Sequence, residues 1–501
     1  MPGLAETKSP RGRFRFNVNI GSVLFLLGRL LLTLALALLI PALVGQYLNE
    51  DARWSFYVAA GIAGALGLFL ERYFHESDEF DFGRREAFVL VSSAWLVGTI
   101  VGALPYVLEN GIAFAVNALF ESASGFTTTG ASIFTDVESL PGAVLLWRAL
   151  TQWIGGMGII VLGIAILPKL AVGGMELLGA EAPGPMQEKL TPRIAQTAKG
   201  LWAVYAALTV LCALAYWAAG MSALDAVIHA FTTLPLGGYS SHDASFAFFD
   251  SAALETVAVL FMLIAGVNFG THFLAFRGRS LAPYRKDPEV LAFFLILLAS
   301  CWGIAAYLRL TGAYPDLLTA ARYATFNVVS IATTTGYAST DYNQWPIFAP
   351  LWMLTLCAFA SCSGSTGGGI KMIRAQLLWL HAARVLKALI HPRAHLVVKL
   401  RERRVENHVI NGMLAFIVVF GGTTLAATML LTATGMDFLS ASTAAVASIT
   451  NTGPGLGTVG PAGNYASLTD LQKWVCTAAM LLGRLELFTL LVVFTPAFWR
   501  R

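Results

Sequence analysis

The chain contains 501 residues, of which 56% are hydrophobic and only 12% are charged, and its formal net charge is +4. Soluble globular domains carry about 25% charged residues, so this composition excludes a soluble protein and indicates an integral membrane protein. The basic residues lie in loops that flank apolar runs, so the small positive charge does not predict a nucleic-acid partner.

The chain opens with a basic segment, 1–20, that lacks a small-residue cleavage site and leads directly into an apolar run. We interpret this segment as a cytoplasmic N-terminus and not as a cleaved signal peptide. The apolar residues that follow predict an extra pair of helices over 21–80, which precedes the part of the chain that repeats.

Ten apolar runs are long enough to cross a hydrocarbon core, which takes about 20 helical residues. Lys and Arg concentrate in alternate loops between these runs, and the positive-inside rule therefore predicts that both chain ends are cytoplasmic. The predicted spans are 21–49, 54–72, 86–108, 142–169, 196–220, 250–276, 287–312, 347–380, 406–434 and 470–498.

Four further apolar runs are too short to span a bilayer and predict buried or re-entrant helices. Ser222 and Asp437 stand at the starts of the second and fourth of these runs, where a side chain can cap a helix. Together with the ten spans, the short runs predict an all-α polytopic membrane protein. The short runs cover 113–126, 222–234, 315–332 and 437–449.

A short motif that contains glycine follows each short run, and three of the four motifs also contain threonine. The four motifs read "TTTGAS", "LPLGGYS", "TTTGYAS" and "TNTGPG", and we align them on Gly130, Gly237, Gly336 and Gly453. Their nearly regular spacing predicts a fourfold repeat of span, re-entrant helix, filter loop and span around one central pore. The predicted repeats are 81–170, 171–280, 281–404 and 405–501.

The composition of these motifs favours a path for a cation. Irregular backbone at membrane depth is tolerated where it lines a water-filled path, and glycine lets successive carbonyls turn toward one line. Rings of carbonyl oxygens can replace the hydration shell of a monovalent cation, and the partially negative ends of the short helices favour a cation there. The candidate ion-binding residues are Thr127, Thr128, Thr129, Gly130, Pro235, Leu236, Gly237, Thr333, Thr334, Thr335, Gly336, Thr450, Asn451, Thr452 and Gly453.

Seven stretches of the sequence are similar to those of a known protein family. They are "ESASGFTTTGAS" (121–132), "QWIGGMGIIVLGIAILP" (152–168), "GGYSSHDAS" (237–245), "ATTTGYASTDY" (332–342), "SCSGSTGGGIKMIR" (361–374), "TNTGPGLG" (450–457) and "LLGRLELFTLLVVFTP" (481–496). Over nearly the whole chain, the sequence resembles the bacterial TrkH/KtrB family of potassium transporters. The extra helix pair resembles the Trk branch of that family.

The resemblance implies a channel-like pore that passes K⁺ across the bacterial inner membrane, with K⁺ at the candidate filter residues and no organic cofactor in this chain. It also implies a homodimer, contact with membrane lipids and a cytoplasmic nucleotide-binding regulatory subunit of the TrkA type. We expect that subunit to dock on the basic segment 381–404 together with 170–195. Anionic lipid headgroups are the competing explanation for those basic residues.

In this family a glycine in the first filter segment goes with K⁺ passage, and Gly130 fits that pattern. Pro235 departs from it, because relatives more often carry Ser or Thr in part of the second segment, and proline removes a backbone N–H. Passage of Na⁺, Rb⁺ or Cs⁺ beside K⁺ is therefore an open alternative.

Two features inside predicted spans indicate a gate. A glycine-rich stretch interrupts span 347–380, and the resemblance implies that it blocks the pore below the filter. Arg484 lies deep in span 470–498, where a charge is costly and marks function, and the resemblance implies that it projects against the same loop. Glu486 is expected on another face of that helix. The candidate gating residues are Gly364, Ser365, Thr366, Gly367, Gly368, Gly369 and Arg484.

A secondary symporter that couples K⁺ to H⁺ or Na⁺ is the alternative function, because such transporters also use repeats and broken helices. An enzyme is not expected, since the sequence contains no H-E-x-x-H or Walker A motif and no metal-spaced histidine pair. Arg148, His242 and Asp243 are weaker candidates at the outer mouth. Asn268 is expected to join helices by hydrogen bonding.

Overall fold

The computed structural model describes residues 18–74, 83–161, 190–394, 396–401 and 403–500. Most of the predicted N-terminal segment 1–20, the end of span 142–169 and most of the docking segment 170–195 lie outside these residues. In chain order the elements are α1 (Ile20–Leu48), α2 (Arg53–Tyr73), α3 (Arg84–Asn110), α4 (Ala115–Phe126), α5 (Gly142–Val161), α6 (Leu190–Ala218), α7 (Ala223–Thr233), α8 (Ala252–Ala265), α9 (Phe269–Gly278), α10 (Ala282–Lys286), α11 (Val290–Leu310), α12 (Leu317–Ala332), α13 (Phe348–Phe359), α14 (Met372–Ile390), β1 (Lys399–Leu400), β2 (Arg403–Arg404), α15 (Asn407–Ala433), α16 (Phe438–Thr450), α17 (Asp470–Arg484), α18 (Phe488–Leu491) and α19 (Pro496–Trp499).

Seven of these helices are long and apolar enough to cross a membrane, which confirms a multi-pass membrane protein. They are α1, α2, α3, α5, α6, α11 and α15. The three other predicted spans, 250–276, 347–380 and 470–498, are each broken into shorter helical segments. The antiparallel pair β1 and β2 is a short hairpin that follows α14. Single 3₁₀ turns lie at Ile112–Phe114, Ser245–Phe248, Tyr342–Gln344, Gly457–Val459 and Val492–Phe494.

The predicted span 250–276 is not straight, because α8 and α9 meet at an angle of 90°. Asn268 caps the start of α9, where its side-chain oxygen accepts a hydrogen bond from the Gly270 N–H at 2.7 Å. Its role is therefore to begin a helix and not to join two helices as expected. Hydropathy did not reveal the break because the residues on both sides of it are apolar.

Span 470–498 is also sharply bent. α17 ends at Arg484, and the next helical segment turns away by 103°. Glu486 and Leu487 have positive φ angles of 53° and 51°. Arg484 therefore lies at the end of a helix, although the apolar residues around it predicted a position well inside one.

The four predicted short helices are confirmed as α4, α7, α12 and α16. Both predicted caps are also confirmed. The Ser222 hydroxyl accepts a hydrogen bond from the Asp225 N–H at 3.1 Å, and the Asp437 carboxylate accepts one from the Ser440 N–H at 2.9 Å. Each short helix packs against the helix before it and the helix after it, which gives the repeated unit that the sequence predicted.

The repeated units close into a ring. The returning helix of each unit also packs against the short helix of the next unit, as α5 does with α7, α8 with α12, and α13 with α16. The contact between α17 and α4 joins the fourth unit back to the first. The four short helices therefore surround one common axis.

The extra helices α1 and α2 pack tightly on each other outside this ring. A Cβ on Gly28 would lie 2.9 Å from the Gly67 carbonyl oxygen, and a Cβ on Gly67 would lie 2.9 Å from the Gly28 carbonyl oxygen. Small residues allow such close approach between membrane helices. α1 also packs against α3 and α5, so the pair lies beside the first repeat.

Candidate ion pathway

Four short stretches of backbone follow the four short helices at the centre of the ring. We call them axial segments one to four, and they comprise residues 127–130, 235–238, 333–336 and 450–453. In each segment the second and fourth residues have positive φ, a conformation that side chains disfavour. These φ angles are 54° at Thr128, 57° at Leu236, 66° at Thr334 and 55° at Asn451, then 83° at Gly130, 79° at Gly238, 88° at Gly336 and 93° at Gly453.

The shared angles correct the sequence alignment of the second segment by one residue. Gly238, and not Gly237, has the conformation of the glycines in the other segments. Gly237 corresponds instead to the threonine before each of those glycines. The N–H groups at that position all donate to the carbonyl five residues earlier: Thr129 to Ser124, Gly237 to Thr232, Thr335 to Ser330 and Thr452 to Ala447. Spacing alone could not choose between two consecutive glycines.

Neighbouring segments approach too closely for any side chain at the fourth position. A Cβ on Gly130 would lie 2.1 Å from the Gly237 carbonyl oxygen. The same contact runs from segment two to three, from three to four and from four back to one, so the four backbones enclose a single axis. The corresponding distances are 2.0 Å from Gly238 to Thr335, 2.2 Å from Gly336 to Thr452 and 2.5 Å from Gly453 to Thr129.

All of the predicted ion-binding residues therefore come together in the axial segments, and Gly238 joins them. Sequence reasoning missed Gly238. The motif "LPLGGYS" contains two adjacent glycines, so an alignment that also tried the second one would have included Gly238.

Segments one, three and four each contain a pair of bonded threonine hydroxyls at their first and third positions. Segment two has Pro235 and Gly237 there and cannot form the pair. Instead, a side chain from α5 bonds to segment two: Gln152 Nε2 donates a hydrogen bond to the Gly237 carbonyl at 2.7 Å. The hydroxyl pairs are Thr127 with Thr129 at 2.7 Å, Thr333 with Thr335 at 2.8 Å and Thr450 with Thr452 at 2.8 Å.

A cavity of about 160 Å³ lies on the glycine side of the axial segments, and the fourth-position glycines of all four segments line it. Arg148, His242 and Asp243 also line this cavity. Arg148 is buried, and its Nε donates to the Glu121 carboxylate at 2.8 Å while its Nη1 donates to the Ser240 carbonyl at 3.1 Å. The buried ion pair therefore ties α4 to the backbone after segment two. The Asp243 carboxylate at the cavity accepts a hydrogen bond from the Val137 N–H at 2.8 Å.

The predicted gating stretch, which we call the glycine loop (residues 363–369), lies against the opposite ends of the axial segments. The Thr366 hydroxyl donates to the Leu234 carbonyl at 2.9 Å, and the Gly368 N–H donates to the Thr334 hydroxyl at 2.9 Å. A Cβ on Gly368 would lie 1.9 Å from the Thr450 carbonyl oxygen. The loop thus contacts the region of segments two, three and four on the side away from the cavity.

Arg484 lies against the same loop, with 2% of its surface exposed. Its Nη1 donates to the Thr366 carbonyl at 2.9 Å, and its Nη2 donates to the Gly155 carbonyl at 3.3 Å. In the part of the chain that the structure describes, no carboxylate pairs with it. Glu486 pairs instead with Arg374 at 2.6 Å, which confirms that Glu486 is not its partner. A positive charge is therefore held by neutral carbonyls beneath the axial segments.

Two further charged residues hold the glycine loop, and sequence reasoning missed both. The Glu289 carboxylate, before α11, accepts hydrogen bonds from the Ser363 N–H at 2.9 Å and the Ile373 N–H at 2.8 Å. The Lys371 amino group donates to the Gly367 carbonyl. Glu289 was missed because it lies at the start of predicted span 287–312, where a charge ordinarily flanks the membrane. Lys371 was missed because it follows the glycine-rich stretch, which drew attention to the backbone and not to the cation after it.

A ring of four repeated units around one axis, with a cavity on one side and the glycine loop on the other, is the architecture of a membrane transport protein. A family model named TrkH and described as a cation transport protein matches residues 56–501. The chain belongs to this TrkH family, and the resemblance inferred from the sequence is confirmed. The family description also confirms a transport function in place of catalysis.

Named relatives agree with the family. The Trk system potassium uptake protein TrkH of Salmonella typhimurium is 42% identical over 95% of this chain and 98% of its own length. The TrkG protein of Escherichia coli is 33% identical over 96% of this chain and 99% of its own length. The crystal structure of the potassium transporter TrkH from Vibrio parahaemolyticus superposes with a TM-score of 0.89 at 39% identity, covering 96% of this chain and all of that chain.

Proposed function

We propose that this chain carries K⁺ across the bacterial inner membrane, with the axial segments as a selectivity filter and with the glycine loop and Arg484 as the gate. The observation that carries the proposal is the closed ring of backbone contacts, with both gate elements against one end of it. The potassium uptake proteins of 42% identity over 95% of the chain supply the choice of ion.

The filter would act through backbone and hydroxyl oxygens. No acidic side chain lies in the axial segments, so a cation would be held by dipoles and not by full charges. Carbonyl rings can replace the hydration shell of K⁺ while binding weakly enough to release it. The C-terminal ends of α4, α7, α12 and α16 lead directly into the segments, and their partial negative charge favours a cation there.

The gate would act by obstruction and by charge. The glycine loop bonds to the residues next to the filter, and Arg484 donates to the loop at Thr366. Two unit charges 4 Å apart interact by about 4 kcal/mol at an effective dielectric constant of 20. A guanidinium below the filter would therefore oppose a cation that leaves it. Displacement of the loop would shift both obstacles together.

Regulation would reach the gate from the cytoplasmic side, where a nucleotide-binding subunit of the TrkA type docks on the basic segment 381–404. Arg401 donates to the Arg285 carbonyl at 2.7 Å and to the Asp287 carbonyl at 2.8 Å. Glu289, which holds the loop, follows two residues later. A partner that pulls on the hairpin would thus move the support of the loop. Neutralising Arg401, Arg403 and Arg404 should abolish partner binding, and intact binding would favour anionic lipid as the ligand of these residues.

The proposal includes a homodimer with both termini in the cytoplasm. Chemical crosslinking in intact membranes tests the dimer, and protease protection of tagged termini tests the orientation. Detection of monomers alone, or of a terminus outside the cell, would contradict this part of the proposal. The proposed role of the axial segments does not depend on either result.

The experiment that tests transport uses the full chain reconstituted in liposomes. Reversal potentials measured under K⁺, Na⁺ and pH gradients should follow K⁺ alone. Uptake driven by the membrane potential gains about 2.3 kcal/mol per charge per 100 mV, so accumulation should stop when the potential is collapsed at constant pH. Accumulation that persists under those conditions would support the coupled symporter, and a reversal potential insensitive to K⁺ would refute the filter.

A further inference from the structure

The second axial segment departs from the pattern of the other three. In segments one, three and four the third residue is a threonine, and its hydroxyl bonds to the threonine two residues earlier. The earlier threonine also donates to a carbonyl of its short helix, as Thr127 does to Ala123 at 2.6 Å. Three filter segments are therefore tied to their own helices by side chains.

Segment two has no side chain at its third position, Gly237. The Gln152 carboxamide occupies that space, because a Cβ on Gly237 would lie 2.4 Å from both Cδ and Oε1 of Gln152. Gln152 Nε2 donates to the Gly237 carbonyl at 2.7 Å, and Gln152 Oε1 accepts from the Tyr239 N–H at 3.2 Å. A single side chain thus bonds to the backbone on both sides of Gly238.

The carbonyl that Gln152 holds belongs to the ring. The Gly237 oxygen lies against Gly130 in the same way that the Thr335 oxygen lies against Gly238. Gln152 is fully buried in α5, so its carboxamide is fixed by packing as well as by its two hydrogen bonds.

We propose that Gln152 is a specificity-determining positioning residue, which holds the Gly237 carbonyl of the second filter segment in place of the missing threonine pair. This inference rests on the proposed filter function of the axial segments. Gln152 itself does not replace the hydration shell of the ion. It fixes the spacing of one carbonyl in the ring, and that spacing decides how well a K⁺ fits relative to a smaller Na⁺.

The test is the Na⁺-to-K⁺ permeability ratio of the full chain in liposomes, measured from reversal potentials. Gln152→Glu has nearly the same shape and keeps the acceptor for Tyr239, but it removes the donor to the Gly237 carbonyl. Gln152→Leu removes both bonds. We expect Gln152→Glu to raise the ratio about tenfold, the change that corresponds to one lost buried hydrogen bond, and Gln152→Leu to raise it at least as much. Thr335→Val, which breaks the hydroxyl pair of segment three, should shift the ratio in the same direction.

Trp153→Phe is the matched control. Trp153 is the next residue of α5, and its indole N–H donates to the Thr209 hydroxyl at 3.1 Å, away from the axial segments. The control loses one partly buried hydrogen bond in the same helix, and its permeability ratio should not change. An equal shift in Trp153→Phe would mean that Gln152 acts only through general stability, which overturns the inference.

Gly238→Ala separates the two proposals. A permeability ratio that changes in Gly238→Ala but not in Gln152→Glu or Gln152→Leu would overturn the role of Gln152 and leave the filter intact. A ratio that stays constant in all three variants would overturn the filter itself. If Gln152→Leu does not fold, as judged by gel filtration in detergent, the nearly isosteric Gln152→Glu decides the question.

Discussion

The two ends of the axial segments differ in symmetry. On the glycine side all four repeats contribute the same element, a glycine with positive φ packed against the carbonyl of the next repeat. On the other side, the described residues include one glycine loop, from repeat three, and one buried arginine that no carboxylate pairs with, Arg484, from repeat four. Surrounding a spherical ion calls for similar oxygens from every direction, whereas closing a path needs a single obstacle.

The returning helices of repeats one and four, α5 and α17, make the same contact with their short helices. A Cβ on Gly155 would lie 1.9 Å from the Phe126 carbonyl oxygen, and a Cβ on Gly483 would lie 2.0 Å from the Ile449 carbonyl oxygen. The two helices therefore approach the ends of their own short helices in the same way. The residue that follows is Gly156 in α5, which continues as a helix, and Arg484 in α17, where the helix ends. The two repeats therefore diverge directly after a shared contact.

The largest effect is expected from Gly238→Ala, which would break the symmetric side. Its Cβ would lie 2.0 Å from the Thr335 carbonyl oxygen at a φ of 79°, and a strained backbone conformation of this kind costs about 1–3 kcal/mol. We expect K⁺ selectivity over Na⁺ to fall at least about tenfold, the equivalent of 1.4 kcal/mol. Gly130→Ser should act in the same direction.

The permeability ratio from reversal potentials in liposomes measures this change. Gly421→Ala is the control, because a Cβ there would meet nothing within 4 Å. An unchanged ratio in Gly238→Ala, with Gly421→Ala also unchanged, would contradict the assignment of the glycine ring to the filter.

Arg484→Ala tests the asymmetric side and should raise K⁺ flux about tenfold or more, because a charge worth about 4 kcal/mol at close range is removed. The selectivity should stay the same, since the glycine ring is untouched. Arg484→Lys keeps the charge but loses the planar fork that reaches both Thr366 and Gly155, so its flux should fall between those of wild type and alanine. Tracer uptake into K⁺-loaded liposomes measures all three. A flux equal to wild type in Arg484→Ala would place the barrier elsewhere.

Glu289→Gln should have a smaller effect in the same direction. The Glu289 carboxylate accepts hydrogen bonds from the Ser363 N–H at the start of the glycine loop and from the Ile373 N–H, four residues after its end. A hydrogen bond to a charged group contributes about 1.5–3 kcal/mol. We expect a several-fold rise in flux that no longer depends on a regulatory partner. Glu255→Gln is the control, because Glu255 is a buried carboxylate that pairs with Arg322 at 2.7 Å, away from the loop. If Glu289→Gln and Glu255→Gln changed the K⁺ flux equally, Glu289 would have no specific role in the proposed gate.

The smallest effect is expected from Asp437→Ala, which removes the cap of α16 and should cost about 1 kcal/mol of stability. The Ser440 N–H and hydroxyl lower the pKa of Asp437. Because the folded pKa is lowered, the stabilisation is present above the ordinary carboxyl pKa and is lost as the pH falls through the folded value. In detergent, the unfolding temperature of the variant should therefore lie below that of wild type at neutral pH, and the two temperatures should converge in acid. A difference that persists in acid would show that the charge is not what stabilises the helix.

Sequence patterns predicted the gate elements more fully than they predicted the filter register. The glycine loop and Arg484 were visible because both violate the rule that membrane spans are apolar and helical. Gly238 was missed because two adjacent glycines are equivalent in sequence and differ only in the backbone angles that packing imposes. Gln152 was missed because the sequence around a polar residue in a span does not show which backbone groups its side chain contacts.

The sequence by itself determined the membrane class, the four short helices and the repetition of the axial segments, because hydropathy and recurring motifs are local properties of the chain. Only the tertiary structure decided the register of the second segment, the sharp breaks after α8 and α17, and the partners of Arg484 and Glu289. The reason is physical: each of these depends on which carbonyl, carboxylate or N–H lies nearby in space. For Arg484 the contacts are with residues 118 and 329 positions away along the chain, so no local pattern records them.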